Sequence, residues 1–157
     1  MRKSSTLIYL VVCVIFVVAT LSLTGCGRNE HTEINKQFSG VDVELGISDK
    51  KVVDKLGEGE VSPCVAGYER NYPDTKLNIG FDQSAKTVRR ITLKSDKCSW
   101  AEIKSGQTVK QGQNRLTSLG FKQEAGSKVK YLKEDYRVTL TSFKGEIIDE
   151  IVIEIKQ

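Results

Sequence analysis

The apolar and polar positions along the body of the chain predict a structural unit that occurs twice. In the first half, Ser48 has the side chain of a helix N-cap, and Gly57 can end the helix in a left-handed conformation. Between them, Val52, Val53 and Leu56 recur at the spacing of one helix face. The pattern therefore predicts a short amphipathic helix between Ser48 and Gly57.

Three strand-like segments follow this helix, after a loop that holds Pro63 and Cys64. Residues two apart lie on the same side of a strand, so that Tyr68, Arg70 and Tyr72 share one face. A polar turn at residues 82–86 separates the last two segments. The predicted strands are, in order, Tyr68 to Tyr72, Leu77 to Phe81 and Val88 to Leu93.

The second half repeats this order. A helix is predicted from about Thr108 to Leu119, because Val109, Leu116 and Leu119 recur at helical spacing and Gly120 can end the helix. Turns at residues 134–135 and 144–145 then separate three further segments. The predicted strands are Val129 to Lys133, Tyr136 to Ser142 and Ile147 to Ile155.

Together these patterns predict an α+β fold of two tandem α-β-β-β repeats, at about residues 45–98 and 103–157. We expect the helices to pack on one face of an antiparallel sheet, whose strand order the sequence leaves open. The last strand carries Ile148 and Val152 on the side opposite its other isoleucines. A central strand, partly covered on both faces, is the favoured interpretation; an exposed recognition patch is the alternative.

The N-terminus has the pattern of a bacterial lipoprotein signal. Arg2 and Lys3 precede an apolar run from Leu7 to Leu23, and Leu23-Thr24-Gly25-Cys26 reads as a lipobox. We expect residues 1–25 to be removed and Cys26 to carry the lipid. The run is also long enough to leave an uncleaved spanning anchor as an alternative. Both interpretations place the body on the outer face of the cell membrane.

Residues 26–40 are mostly polar, and we interpret them as a flexible tether between the lipid and a single domain at 41–157. His31, the only histidine, lies in this tether, and we assign it no catalytic role. Without residues 1–25 the formal charge falls from +4 to +2, because Arg2 and Lys3 are lost. So mild a charge, with no basic cluster among aromatic residues, gives no indication of nucleic acid binding.

The remaining cysteines form an even pair. Cys13 leaves with the signal and Cys26 carries lipid, which leaves Cys64 and Cys98 in a compartment where disulfides persist. A bridge between them would contribute about 4 kcal/mol by restricting the unfolded chain. Two unpaired thiols are the alternative. Two cysteines and one distant histidine do not make a metal site, and we expect no metal and no cofactor.

Gly46-Ile47-Ser48, followed by Val52, Leu56 and Gly57, resembles the helix signature of small bacterial envelope lipoproteins. These include outer-membrane-assembly lipoproteins of the SmpA/OmlA type, whose fold is shared by the β-lactamase-inhibitor protein. The chain departs from their pattern after Gly57, where a proline is expected, and in the second repeat, where Gln111 takes the cap position. The resemblance implies a binding module that presents a sheet to another protein and performs no chemistry.

The sequence therefore favours a protein-binding lipoprotein of the assembly-accessory, inhibitor, immunity or exclusion type, and no enzyme. Its expected partners are the membrane, through Cys26, and another envelope protein. Tyrosine, tryptophan and arginine dominate interface energetics, so the candidate contacts are Tyr68, Arg70, Tyr72 and Trp100. The alternative function is a sensor that binds a small ligand or a wall polymer in a cleft between the repeats.

Overall fold

The computed structural model describes residues 31–156. In this part of the chain there are three helices: α1 (Thr32–Asn35), α2 (Asp49–Leu56) and α3 (Val109–Ser118). The same residues form ten strands: β1 (Phe38–Ser39), β2 (Glu60–Cys64), β3 (Gly67–Tyr72), β4 (Leu77–Asp82), β5 (Val88–Leu93), β6 (Ser99–Trp100), β7 (Lys122–Gln123), β8 (Lys130–Lys133), β9 (Tyr136–Thr141) and β10 (Glu150–Ile155).

Eight of the described strands form one antiparallel sheet in the order β2-β3-β4-β5-β10-β9-β8-β7, and β1 pairs with β6 apart from it. Neighbours on each side of the sheet are consecutive in sequence, which short turns between antiparallel strands allow. Only the β5–β10 pair joins distant segments. The fold is therefore α+β with a large antiparallel sheet, as predicted, and β10 is a central strand.

Side-chain caps fix the starts of the two longer helices. The Ser48 hydroxyl accepts from the Lys51 N–H at 3.5 Å, and Gly57 follows α2 with φ +84°, both as predicted. In α3 the Thr108 hydroxyl accepts from the Gln111 N–H at 3.2 Å, while the Gln111 side chain accepts from the Thr108 N–H at 3.0 Å. This reciprocal pair is a capping box. The cap is therefore Thr108, and the assignment of Gln111 to the cap position was wrong.

Two strands of the large sheet occupy segments that the sequence pattern left as loops. β2 contains Pro63 and lies at the edge of the sheet, where the missing proline N–H is tolerated. β7, at the other edge, has only two residues. Each longer helix is consequently followed by four strands of the large sheet rather than the predicted three.

The predicted tether is folded from His31 onward. Ile34 is buried, and the Asn35 side chain exchanges two hydrogen bonds with the Leu45 backbone, at 2.9 and 3.0 Å. The Trp100 indole N–H donates to the Ile34 carbonyl at 3.1 Å. A flexible segment would not make these contacts, so residues 31–40 belong to the domain. The signal, Cys26 and the rest of the tether lie outside the described residues.

The core lies on one face of the sheet. Ile79, Ile91, Ile153 and Val138 form a row across β4, β5, β10 and β9, and all four are fully buried. Ile148, which precedes β10, is also fully buried and not part of an exposed patch.

Candidate functional site: the open face of the sheet

The two faces of the sheet differ in burial and in chemistry. Along β9, buried Val138 and Leu140 alternate with partly exposed Arg137 and Thr139. The same alternation continues in β10, where Val152 is partly exposed. We call the polar, partly exposed side the open face. By strand register it carries Glu69, Asn71, Asn78, Gly80, Arg90, Thr92, Val152, Glu154, Arg137 and Thr139, of which Gly80 and Thr92 are buried.

The residues predicted to contact a partner lie on the core side, which corrects that prediction. Arg70 is 9% exposed, Tyr72 7% and Trp100 1%. Tyr68 is half-buried and stacks on Phe81, with ring centroids 4.8 Å apart. Alternation is the reason: Tyr68, Arg70 and Tyr72 do share one face, as predicted, but it is the face that the core covers.

Arg70 joins α2 to the sheet. Its Nε and Nη2 donate to the two carboxylate oxygens of Asp49 at 2.6 and 3.0 Å, and its Nη1 donates to the Glu58 carbonyl. The hydrogen bond from Arg70 lowers the pKa of Asp49. Burial, together with a hydrogen bond to Asp49, raises the pKa of Tyr68 to about 12. An arginine buried and paired in this way is not available to a partner, and its removal would leave the Asp49 carboxylate without its counterion.

The open face carries a row of ion pairs across the strands. Arg90 on β5 pairs with Glu69 on β3. Arg137 on β9 binds Glu154 on β10 at 3.1 Å and Glu124 at 3.2 Å. The hydrogen bond to Glu154 raises the pKa of Arg137. These side chains retain 20–33% of their exposure, so they are held in place by their ion pairs yet remain partly exposed to solvent.

Gly80 provides the space for the first of these pairs. A Cβ at Gly80 would lie 3.2 Å from the Cβ and the Nε of Arg90, so the glycine lets this side chain cross β4 to reach Glu69. The register of β4 against β5 then shifts, which leaves Arg89 as the extra residue of a bulge. The Arg89 guanidinium reaches the Ile155 carbonyl on β10 at 3.0 Å. The bulge thereby brings a third arginine to the β5–β10 junction.

A cavity of about 280 Å³ opens at this junction, and we call it the seam cavity. Four of the residues around it are cationic and one is acidic, and both halves of the sheet contribute. Cationic side chains that converge on a concave site can bind a negatively charged group through charge-assisted hydrogen bonds. The lining residues are Cys64, Ala66, Gly80, Phe81, Arg89, Arg90, Arg137, Glu154, Ile155 and Lys156.

Two other cavities have fewer cationic residues in their linings. One, of about 170 Å³, lies on the open face between Asn78 and Glu150 and shares Arg90 with the seam cavity. The other, of about 300 Å³, lies beside Leu56 and Tyr72 and has no cationic residue in its lining. Of these three cavities, the seam cavity has the most cationic residues in its lining.

Apolar side chains protrude at two turns. Val65, between β2 and β3, is fully exposed, and its neighbours Cys64 and Ala66 line the seam cavity. Phe143, between β9 and β10, is 74% exposed. Exposed apolar residues beside a polar recess are a common feature of interaction sites.

The predicted Cys64–Cys98 disulfide is not formed in the structure, where both thiols are free. Cys98 is buried, its thiol donates to the Gly40 carbonyl at 3.1 Å, and burial raises its pKa. Cys64 ends the edge strand β2 and lines the seam cavity. The two sulfurs therefore occupy different environments.

Within residues 31–156, no three His, Cys, Asp or Glu side chains are grouped so that they could hold a metal ion. His31 is engaged with Tyr136, its Nδ1 lying 2.8 Å from the tyrosine hydroxyl. Across the same residues, no helix has the length and apolar character needed to cross a membrane.

Sequence reasoning missed the arginines of the open face. Charges at Arg90, Arg137 and Glu154 alternate with buried apolar residues, which marks them as a solvated face. What the sequence does not show is the register, and only register brings Arg90, Glu154 and Arg137 side by side across three strands.

Comparisons of this chain with protein-family models, curated proteins and solved structures find no match. The candidate site therefore depends on the geometry alone.

Proposed function

We propose that this protein is a membrane-tethered, extracytoplasmic lipoprotein that binds another envelope protein through its open face and performs no chemistry. The observation that carries the proposal is the preorganised charged row on that face, with the seam cavity at one end. Assembly accessory, inhibitor, immunity and exclusion roles all fit such a module.

A solvated face alone would be a weak argument, because many antiparallel sheets have one. Two features go beyond it. Arg90 and Arg137 are held by their carboxylate partners, so little side-chain entropy remains to be lost on binding. Val65 also exposes its whole side chain beside the cavity, where it supplies apolar contact area. Fixed arginines with an apolar neighbour resemble the hot spots of protein interfaces.

We further propose that the domain consists of two tandem repeats whose helices pack on one face of the sheet. The order of a helix followed by four strands of the large sheet occurs twice, and the strand order β2-β3-β4-β5 is mirrored by β10-β9-β8-β7. Asp49 of α2 binds Arg70, and Gly112 of α3 approaches Leu140. Arg70 and Leu140 belong to the same side of the sheet, which supports a common helical layer.

The proposed location at the membrane depends on the lipobox that ends at Cys26. We propose that Cys26 carries the lipid and that the signal is removed. A Cys26→Ser variant should lose incorporation of labelled palmitate and leave the membrane fraction, because no acylated sulfur remains. Palmitate incorporation into the variant at the wild-type level would contradict the assignment.

The binding proposal is tested by a bulky charge at the centre of the open face. We expect Thr139→Arg to abolish recovery of the partner with the affinity-tagged full chain from the native host, without lowering the Tm. Asn114→Arg makes the same change on an exposed position of α3 and should retain the partner. Equal recovery with both variants would contradict a role for the open face.

A second candidate function is a small-ligand or wall-polymer sensor, and the seam cavity favours it because both halves of the sheet line it. Its volume lies just below the range of about 300–1,000 Å³ that is usual for small-molecule sites. A saturable rise in Tm with a wall fragment or a metabolite would support the sensor. A screen without such a rise, combined with loss of the partner in Thr139→Arg, would leave protein binding as the only supported function of the two.

A further inference from the structure

We propose that the seam cavity is a subsite for a carboxylate, supplied by an aspartate or glutamate side chain of the bound protein. This inference rests on the proposed protein-binding function and names the chemistry of the contact. Four observations carry it: an unsatisfied arginine donor, an unpaired lysine, the charge balance of the lining and an apolar border.

The first observation is the Nε of Arg137, which is buried and has no hydrogen-bond acceptor among the described residues. The other two nitrogens of this guanidinium hold Glu154 and Glu124, so the group cannot turn to satisfy its Nε. Most buried donors in folded proteins are satisfied, and an unmet one has a cost that an arriving acceptor would remove. Arg137 lines the seam cavity, so that acceptor would enter there.

The second observation is Lys156. Its ammonium makes no hydrogen bond or ion pair with any residue in the described part of the chain, whereas its backbone N–H donates to the Asp135 carbonyl at 2.8 Å. The main chain is thus anchored at the cavity while the positive charge stays available. A flexible ammonium beside a fixed guanidinium can adjust to an anion that the arginine orients.

The third observation is the charge balance, which favours a monoanion. Arg89, Arg90, Arg137 and Lys156 face the cavity against the single carboxylate of Glu154. Beyond this lining, Asp82, Glu69 and Glu124 pair with the three arginines. The excess positive charge is therefore confined to the lining itself, because the four cations and four carboxylates balance when these outer partners are counted. It suits one negative charge better than the two of a phosphate.

The fourth observation is the border of the cavity, which favours a side chain over a free ion. Ala66, Phe81 and Ile155 belong to the lining, and Val65 protrudes beside it. These groups can contact the methylene groups that join a carboxylate to its backbone. An isolated anion would gain nothing from them.

The test titrates N-acetyl-glutamate α-amide, a monoanionic mimic of a glutamate side chain, into the ¹⁵N-labelled full chain in detergent at constant ionic strength. We expect a saturable shift of the Arg137 Nε–H resonance. Arg115, whose Nε already donates to the Ala101 carbonyl at 3.0 Å, serves as the internal reference and should not move. The glutamine analogue, which is neutral and of the same shape, should leave Arg137 unchanged.

Two variants locate the anion. Lys156→Gln should weaken binding of the mimic about threefold, the effect expected of one solvent-accessible ion pair. Lys110→Gln removes the same charge from an exposed position of α3 and should bind like the wild type.

An unmoved Arg137 resonance, or an equal shift with the glutamine analogue, would overturn the subsite. Tighter binding of inorganic phosphate than of the carboxylate would overturn the assignment to an acidic side chain. Partner loss in Thr139→Arg without any response to the mimic would refute the subsite alone. A response to the mimic with no partner loss in Thr139→Arg would refute the proposed function alone.

Discussion

The two arginines Arg70 and Arg90 occupy β3 and β5, on either side of β4, and lie on opposite faces of the sheet, so their surroundings differ. Arg70 is buried against Asp49, whereas the Arg90 side chain is one-third exposed beside Glu69. Sequence alone could not separate them, because both follow the period-two pattern of a strand. Arginine is usually exposed, and only the partner carboxylate at the start of α2 makes the buried position acceptable.

This contrast predicts different losses of stability. Arg70→Ala should lower the free energy of unfolding by about 3 kcal/mol, because it leaves the Asp49 carboxylate partly buried without its partner. Arg90→Ala should cost no more than about 1 kcal/mol, since its ion pair is screened by solvent. Urea denaturation followed by circular dichroism measures both. Equal losses would contradict the assignment of the faces.

Asp82 predicts how stability responds to acid. Hydrogen bonds from the Ser84 hydroxyl and from the Ala85 and Ser84 N–H groups lower its pKa to about 2, from an ordinary value of 3.8. The unfolded chain therefore binds more protons in this range, and stability should fall as the pH drops from about 4 to 2. Asp82→Asn keeps the acceptor oxygen but does not titrate.

We accordingly expect the urea midpoint of the Asp82→Asn protein to decline less between pH 4 and pH 2 than that of the wild type. Parallel declines in the two proteins would show that the Asp82 carboxylate has no such shift.

The cysteines give a direct chemical prediction. Iodoacetamide applied to the folded chain without reductant should alkylate Cys64 at least about tenfold faster than Cys98, because reaction requires an accessible thiolate. Peptide mass mapping distinguishes the two sites. If neither cysteine reacts until a reductant is added, the chain contains the disulfide that the sequence analysis predicted.

At the scale of elements, caps and periodicity predicted much of the structure. Ser48, Gly57 and Gly120 are local signals, and local signals can be read without knowing the fold. β2 and β7 were missed because Pro63 argues against a strand and β7 has only two residues. Both are edge strands, formed because a neighbouring strand offers a partner rather than through their own pattern.

Gly112 lies where α3 closely approaches Ile148 and Leu140, so a larger side chain there tests how this helix packs. A Cβ at this position would lie 2.8 Å from the Ile148 Cδ1 and 2.9 Å from the Leu140 Cδ1. Gly112→Leu should overfill this contact and lower stability by about 1–3 kcal/mol. Asn114→Leu, on an exposed position of the same helix, should change it by no more than about 0.5 kcal/mol. Similar effects of the two changes on thermal unfolding would contradict the packing of α3 at Gly112.

At the scale of the whole molecule, the sequence predicted the α+β class and six of the strands but not the site. The candidate contacts Tyr68, Arg70 and Tyr72 were chosen by residue type, and the structure buries Arg70 and Tyr72 in the core. The open face depends on register between segments far apart in sequence, such as Arg90 with Glu154. Only the pairing of distant strands creates it, and no local pattern reports that pairing.

We propose that the open face, and not the side on which we propose that the helices pack, meets a protein partner. Photo-crosslinking in living cells tests it most directly, with a photoreactive residue at Thr139 or Val65 and matched probes at Lys50 of α2 and Asn114 of α3. We expect one discrete crosslinked protein from Thr139 and Val65 and none from Lys50 and Asn114. Crosslinks from the two helical positions alone would contradict it.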